Sequence, residues 1–498
     1  MTAEPVIGVV GAGAMGAGIA ELAAREGCPV RLCDASPEAL GRALAATRDR
    51  LRRDVEKGRL EAAAADAAMA RLAPASLAEV AAADVVIEAI VEDLAAKRAL
   101  FRALEAEAGP GTVLATNTSS LSVSAIAEVL EQPGRLAGLH FFNPPTRMRV
   151  VEIVRGAATS DATIAALAEL ARRLGQHVLH VGDTPGFLVN HLGRGYTGEA
   201  LRILDEGAAT PGAVDAIARG ALGFRMGPFE LLDLTGLDVS AEVTRQVWQG
   251  FGEEPRFRPA PIAGRRVAEG LLGRKTGRGF YAYGADGKIV PEQHQHLDAA
   301  PVPVRLLDIA PDRAPDVAGL FPAALLGDDP AAVAVVGPIG TDVATEARRL
   351  GLDPLRVVGV DPVFTGLATI AGVDPALTAG VAASVRSAGR EAVIVRDGGG
   401  MPAQRIAAMI VLVAADAAGR GLAAPADIDA ATRLALSYPR GPLALGDAVG
   451  PARIAAIARS FLALTGDPRW RPSAWLDGRI AAGKTLAESS TLGGPAPN

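Results

Sequence analysis

Val6-Ile7-Gly8-Val9-Val10-Gly11-Ala12-Gly13-Ala14-Met15-Gly16 is a short apolar run that ends in a Gly-x-Gly-x-x-Gly spacing. An unbroken run of this kind predicts a strand buried on both faces. The three glycines serve a tight turn, close approach of backbone to a pyrophosphate, and close packing of helix on strand. A helical pattern follows from Gly18 to Arg25 and stops at Gly27. Its N-terminus turns unpaired N–H groups toward the phosphates. Val30-Arg31-Leu32-Cys33-Asp34 reads as a second strand, ending in an acid eighteen residues after Gly16. A carboxylate there accepts hydrogen bonds from an adenosine ribose. No Arg follows Asp34 directly, and a 2′-phosphate would meet a carboxylate, so NAD is expected rather than NADP. Gly11, Gly13, Met15, Gly16 and Asp34 are the expected contacts.

Working outward, Ala83 to Glu92 is expected to form another parallel strand, ending in the acids Glu88 and Glu92, with Lys97 on the helix after it. Ligands of doubly wound sheets bind at the carboxyl ends of strands, which makes Glu92 and Lys97 candidates for the nicotinamide ribose. Val113-Leu-Ala-Thr-Asn117-Thr-Ser119-Ser120 runs from strand into polar turn. Its hydroxyls suit helix initiation, and the alternative has Asn117 and Ser119 facing cofactor and substrate hydroxyl. Residues 37–72 read as a helical excursion with Arg42, Arg48, Arg50, Arg52, Arg53, Lys57 and Arg59. Asp49, Asp54 and Glu56 balance them in a solvated face. The other reading is a clamp for a phosphorylated handle.

Gly138-Leu-His140-Phe-Phe-Asn143-Pro144-Pro145, followed by Val150-Val-Glu152, places an imidazole and a carboxylate twelve residues apart on two apolar strands, 136–142 and 149–154. A secondary-alcohol dehydrogenase needs a tuned base for the hydroxyl proton. His140 can be that base, and Glu152 can fix its tautomer and stabilise the imidazolium. A helix (161–174) and a strand (177–182) complete an α/β domain. Asp183-Thr-Pro-Gly-Phe-Leu-Val-Asn190 then leads into a helical domain, and Asn190 looks buried. That domain closes with Gly273-Arg-Lys275-Thr-Gly-Arg-Gly279-Phe-Tyr281.

A chain of 498 residues has room for about three domains. The 49% hydrophobic content supplies ample cores, largely aliphatic because aromatics are 4%. A net charge of −6 argues against general nucleic-acid binding. Cys28 and Cys33 flank one strand in poor geometry for a disulfide, so free thiols in a reducing compartment are expected. The N-terminus carries no basic leader, and Asp416 and Arg420 interrupt the apolar run at 406–415. A soluble cytoplasmic protein is expected, without metal or membrane.

The segment Asp183–Asp233 recurs at a constant offset of 214 residues. Gly207, Pro211, Asp215-Ala216, Arg219, Gly227-Pro228 and Asp233 match Gly421, Pro425, Asp429-Ala430, Arg433, Gly441-Pro442 and Asp447. Matched punctuation over fifty positions signifies a duplicated helical unit. Asn190 becomes Gln404, Glu199 becomes Val413, Glu230 becomes Ala444, and Asp361 stands where His140 does. No acid answers to Glu152, the Lys275 motif has no counterpart near Gly483, and residues 300–396 lack a Gly-x-Gly-x-x-Gly. The copy is expected to be structural.

Taken in order, Gly11–Gly16, Asp34, Ile87–Asp93, Thr116–Leu121, Gly138–Pro144, Asp183–Asn190 and Met226–Asp233 resemble the L-3-hydroxyacyl-CoA dehydrogenases. The resemblance runs through residues 5–285, and the layout is similar to the long bacterial 3-hydroxybutyryl-CoA and 3-hydroxyadipyl-CoA types of butyryl-CoA, phenylacetate and β-oxidation pathways. It implies a Rossmann-type α/β domain (1–185) and an all-α 6-phosphogluconate-dehydrogenase-like domain (186–290). A degenerate α/β linker region (300–396) and a second, degenerate helical domain (397–498) follow. The implied reaction is NAD-dependent oxidation of (S)-3-hydroxyacyl-CoA to 3-ketoacyl-CoA. His140 and Glu152 act as base and orienting acid, Ser119 bonds the substrate oxygen, and Asn190 holds the acyl carbonyl region. Glu92, Lys97 and Asn117 match NAD-contacting positions, and Arg53 and Lys57 answer to cations that bind the CoA nucleotide. Single-copy relatives dimerise through the helical domain, so 397–490 is expected to pack on 186–284 as an internal pseudo-dimer, with a homodimer as a further option.

Two positions depart from the family pattern. His191 stands where the family usually has Arg, and the loop after His140 carries Arg147 and Arg149. Arg147 either receives a terminal carboxylate, as on a 3-hydroxyadipyl chain, or points to solvent. Competing functions are a dehydrogenase of a small free hydroxy acid on the same fold and a non-enzymatic NAD-binding protein. Ser119, His140, Glu152 and Asn190 together argue against the latter. β-Hydroxyacid dehydrogenases with a catalytic Lys share the glycine fingerprint but lack this His–Glu spacing.

Overall fold

All four residues of β1 (Ile7–Val10) are buried, and the strand lies in the middle of an eight-stranded sheet. The computed structural model describes residues 4–290 and 299–488, so the outer ends of the first and last expected domains lie outside the described residues. The other strands are β2 (Val30–Cys33), β3 (Leu72–Pro74), β4 (Val85–Glu88), β5 (Val113–Thr116), β6 (Leu136–Phe141), β7 (Val150–Arg155) and β8 (His177–Gly182). Their order is β3-β2-β1-β4-β5-β6-β7-β8, parallel throughout except for the antiparallel pair β6·β7. Because successive residues face opposite sides, Ile7 and Val9 join one core and Val10 the other. The first core packs under α1 (Ala14–Arg25), α2 (Pro37–Glu56), α3 (Ala62–Arg71) and α7 (Asp161–Arg173). The second packs under α4 (Leu77–Ala81), α5 (Leu94–Glu107) and α6 (Val123–Ala127). Gly8 is needed where α4 closes on the sheet, since a Cβ there would sit 2.7 Å from Val80.

Two local expectations change. The excursion at 37–72 is broken at Gly58 and ends in the edge strand β3, because its final residues pair with β2. The strand expected to reach Glu92 ends at Glu88, so Glu92 lies in the loop that follows.

The chain divides into two compact units between Val189 and Asn190, the first also taking in Leu434–Leu436. The second unit continues α8 (Phe187–Asp205) into α9 (Pro211–Gly220), α10 (Pro228–Thr235), α11 (Leu237–Gly250) and α12 (Pro261–Ala268). A five-stranded sheet follows: β9 (Val304–Leu307), β10 (Val333–Val336), β11 (Val357–Val360), β12 (Ala368–Gly372) and β13 (Ala392–Arg396). It carries α13 (Ala314–Ala318), α14 (Val343–Arg349) and α15 (Pro375–Ser387). Helices α16 (Pro402–Gly419), α17 (Pro425–Ala435), α18 (Pro442–Val449), α19 (Pro451–Thr465) and α20 (Ala474–Ala481) complete it. Among the described helices only α16 is by itself long and apolar enough to cross a membrane, and 83% of it is buried inside the fold.

The duplication is deeper than the helices. The order β13-β12-β11-β10-β9, with β11·β12 antiparallel, reproduces β8-β7-β6-β5-β4, and among the described residues nothing answers to β1–β3. The copy therefore keeps the outer half of a doubly wound sheet and lacks the dinucleotide half. Its turns are held by the same carboxylates. Asp215 accepts from Phe229 and Glu230 N–H at the start of α10 (2.9 and 3.0 Å), and Asp429 accepts from Leu443 and Ala444 at the start of α18 (2.8 and 3.0 Å). Asp233 holds Phe280 and Tyr281, and Asp447 holds Leu486 and Ala487. The closing segment thus does have a structural counterpart near Gly483. What the copy lacks is the ion pair of Lys275 with Asp238, 2.6 Å.

Within this unit the two helical copies pack directly on each other. α8 and α16 approach so closely that a Cβ on Gly195 would lie 3.1 Å from Ile410 Cα. Arg405, 2% exposed, bonds Glu199 and Glu206. The equivalent of Arg405 across the offset is His191, and the equivalents of those two acids are Val413 and Arg420. His191 is fully buried between Phe251 and Phe257, and neither ring nitrogen has a hydrogen-bond partner. Burial, with Arg420, Arg256 and Arg194 nearby, pushes its pKa down to about 3. The departure from Arg at 191 therefore has a physical reason: a guanidinium there would meet another cation instead of two carboxylates.

Candidate active site

β6 and β7 run antiparallel in a register that sets His140 directly opposite Glu152. Opposed residues in such a ladder share a face, with Cβ atoms roughly 5 Å apart. The spacing of twelve thus becomes contact: His140 Nδ1 lies 2.7 Å from Glu152 Oε2. Glu152 is completely buried, and its other oxygen accepts the N–H groups of Leu188 (3.0 Å) and Val189 (2.8 Å) in the first turn of α8. Those N–H groups are the unsatisfied donors of a helix start, where negative charge is favoured. Phe142 and Phe187 pack on the imidazole, at 4.7 and 5.6 Å between ring centres. With Nδ1 donating to the carboxylate, Nε2 keeps the lone pair. Such an arrangement fixes the tautomer of the imidazole and sets a carboxylate beside it, which suits the ring to proton transfer.

The turn after β5 lies at the same edge of the sheet. Asn117 accepts the Phe141 N–H through its side chain at 2.8 Å, tying this turn to the strand that carries His140. Ser119 is exposed, and Glu92 gathers its loop: one carboxylate oxygen accepts from Thr118 Oγ1 (2.7 Å) and the N–H groups of Ser119 (2.8 Å) and Ser120 (3.0 Å). Burial raises the Glu92 pKa, but these bonds and Lys97 outweigh it and hold the carboxyl below its usual range. Lys97 is 1% exposed and bonds Glu88 at 2.5 Å, with Glu92 at 3.3 Å. Glu88 also accepts from Thr116 Oγ1 (2.6 Å) and Ile90 N–H (2.7 Å). Sequence reasoning gave Glu88 no role. Its signal was an acid inside an apolar strand.

The glycine turn fits a dinucleotide. A Cβ on Gly16 would lie 1.8 Å from Gly11 O, and one on Gly11 would lie 2.4 Å from Ala89 O, so both must be glycine. Gly13 has no neighbour within 4 Å, and α1 begins there without a side-chain cap, leaving its N–H groups open. Gly11, Gly13 and Asp34 line a cavity of 630 Å³ with Ala75, Leu77 and Ile90. Asp34 accepts from Ala12 N–H (2.7 Å) and Ser36 N–H (2.9 Å), which fixes its carboxylate at the cavity wall. Met15 packs against the first core.

Of the remaining expected residues, Arg53 and Lys57 are exposed on and just beyond α2, and neither pairs with an acid among the described residues. Arg147 is exposed in the β6–β7 loop. Asn190, the fourth residue of α8, is half-buried and not fully enclosed. Sequence reasoning missed two carboxylate anchors: the α8 amides on Glu152, and Asp183, which caps α6 through Val123 (3.0 Å) and Ser124 (2.8 Å).

The family model for the 3-hydroxyacyl-CoA dehydrogenase NAD binding domain matches residues 6–184, and that for the C-terminal domain matches 186–283 and again 400–491. The chain belongs to the 3-hydroxyacyl-CoA dehydrogenase family. It is 38% identical to the 3-hydroxyadipyl-CoA dehydrogenase of Escherichia coli, an alignment covering 94% of this chain and 96% of that one. It is 40% identical to a probable 3-hydroxybutyryl-CoA dehydrogenase of Bacillus subtilis, over 55% of this chain and 96% of the relative. The crystal structure of 3-hydroxybutyryl-CoA dehydrogenase from Escherichia coli superposes with a TM-score of 0.86 at 37% identity, covering 96% and 98% of the two chains. In this 3-hydroxyacyl-CoA dehydrogenase the cofactor is NAD, and the helical domain is present twice.

Proposed function

We propose that His140 removes the hydroxyl proton of a (S)-3-hydroxyacyl-CoA through Nε2 while Glu152 stabilises the imidazolium that forms. The observation that carries this reading is the Nδ1–Oε2 bond of 2.7 Å, with the other carboxylate oxygen held by two amides of α8. Bound NAD would supply the hydride acceptor for C3. Asp34 and the amides at Gly11–Gly16 would hold its adenosine and pyrophosphate, and Asn117, with Glu92 and Lys97, would shape the nicotinamide end. Ser119 bonds the substrate oxygen. Asn190 takes the acyl carbonyl. Support for its role comes from the copy, where Gln404 at the equivalent position bonds Asp361, the equivalent of His140, at 3.0 Å.

Arg53 and Lys57 are assigned to the CoA phosphates on their exposure and their lack of acidic partners. Arg147 is assigned to a terminal carboxylate, as on 3-hydroxyadipyl-CoA. It is an unpaired cation seven residues beyond His140, and the Escherichia coli relative is named for that substrate. The functional layout follows as 1–185 for NAD, 186–290 for substrate, and 300–396 with 397–498 as the degenerate copy that covers 186–284 as an internal pseudo-dimer. A cytoplasmic setting is supported by Cys28 and Cys33, both free and buried.

The test is NADH formation from 3-hydroxybutyryl-CoA, a longer 3-hydroxyacyl-CoA, 3-hydroxyadipyl-CoA and free 3-hydroxybutyrate, with wild type and Arg147→Ala. The thioesters should turn over, the free acid should not, and Arg147→Ala should lose preference for the dicarboxylyl chain alone. An unchanged preference removes Arg147 from the site.

A further inference from the structure

The copy has lost its chemistry but kept a cavity. Asp361, where His140 stands in the first copy, is fully buried and turned onto its own backbone. It accepts from Val363 N–H (2.9 Å), Phe364 N–H (3.2 Å) and Gln404 Nε2 (3.0 Å). Opposite it, Thr369 replaces Glu152, and the sheet has no dinucleotide half. Beside this sealed position lies a cavity of 420 Å³. Its walls are the loop after Asp361 (Val363, Phe364) and α18 (Leu445, Val449), the second copies of the loop after His140 and of α10. Residues 221–224 of the first helical copy close it.

Two guanidinium groups line this cavity. Arg440 occupies the position of Met226 in the first copy, so a cation stands where the parent unit has an apolar residue. It is exposed at the wall and makes no hydrogen bond or ion pair among the described residues. Arg313 also lines the cavity. It forms long ion pairs with Asp312 (3.6 Å) and Asp316 (3.5 Å) and also acts on the charge of buried Asp361, while its buried Nε has no hydrogen-bond partner. Asp312 makes its short contact with Arg453 instead, at 2.6 Å. Phe224, Phe364 and Leu445 supply the apolar surface between. A pocket of this size with cations on otherwise apolar walls is suited to a small amphipathic anion.

We propose that this cavity is a non-catalytic binding site for a short free aliphatic carboxylate. The carboxylate sits on Arg440 and Arg313, and the chain lies among Phe224, Phe364 and Leu445. Thr369 stands in place of Glu152, and among the described residues this sheet has no dinucleotide half, so the pair that serves the first copy is missing and the ligand is held unchanged.

The experiment is calorimetric titration of the full chain with hexanoate and, separately, hexan-1-ol. Hexanoate should bind saturably and the alcohol should not. Arg440→Glu should weaken hexanoate at least about tenfold, because an attractive charge becomes a repulsive one. Ala448→Trp, a steric plug at an exposed wall position, should abolish binding without altering charge. Both variants should form NADH from 3-hydroxybutyryl-CoA at the wild-type rate. Absence of saturable hexanoate binding, equal binding of the alcohol, or hexanoate affinity unchanged in both variants overturns the proposal.

Discussion

His140 and Glu152 face each other across β6 and β7, and the carboxylate between them is shared: one oxygen holds the imidazole, the other holds the first turn of α8. One buried side chain thus fixes the imidazole and anchors a helix. Glu152→Gln keeps the shape but presents an amide in place of the carboxylate. By analogy with loss of the carboxylate in a Ser-His-Asp triad, kcat should fall roughly a thousandfold to ten-thousandfold. KM for the thioester should change little, which steady-state kinetics will read.

Asp34→Ala should weaken NAD by roughly tenfold to a hundredfold, the usual range for removing a hydrogen bond to a charged group. The same change should narrow the preference for NAD over NADP, since the carboxylate that repels a 2′-phosphate is gone. Dinucleotide titration of the variant measures both. An unchanged ratio would place the adenosine elsewhere.

Lys97→Met would leave Glu88 buried with its cation missing. Loss of one partner from a buried pair costs about 3–5 kcal/mol. Thermal unfolding should show the loss whether or not NAD is present. Glu92→Gln should cost less, because Glu92 is 35% exposed and still gathers the Ser119 loop through neutral hydrogen bonds.

These contrasts mark how far the sequence was readable. The glycine turn, Asp34 and the strands bearing His140 and Glu152 were legible because each rests on local chemistry: a backbone conformation, a strand end, a short apolar run. The twelve-residue spacing became a contact because the two strands pair antiparallel in one register. The burial of Lys97 was not legible, since helix and strand must dock before its ammonium meets Glu88. Nor was the second bond of Glu152, which needs α8 to start beside it. Asn190 looked buried from its apolar neighbours, but they are on other faces of the helix.

His191 gives the clearest pH prediction. Its pKa is about 3 in the fold against an ordinary 6.5, so the unfolded chain binds the proton more tightly. The stability is present above pH 6.5 and drains away as pH falls toward 3, at up to about 1.4 kcal/mol per pH unit. His191→Leu should flatten that slope in denaturant unfolding at pH 8, 6 and 5. His191→Arg, although it restores the usual family residue, should destabilise by about 3–5 kcal/mol, as an unpaired buried cation does. Val413→Glu with Arg420→Glu should recover the loss by rebuilding the acids that Arg405 finds in Glu199 and Glu206.

The most direct measurement is the rate of NADH formation from 3-hydroxybutyryl-CoA by wild type and His140→Gln, mixed with saturating NAD in a single turnover. Removal of the base should slow the step at least about a hundredfold, the lower end of what general-base catalysis supplies, while both proteins bind NAD alike. A His140→Gln enzyme that forms NADH within threefold of wild type would contradict the account, because the proton would then be leaving by another route.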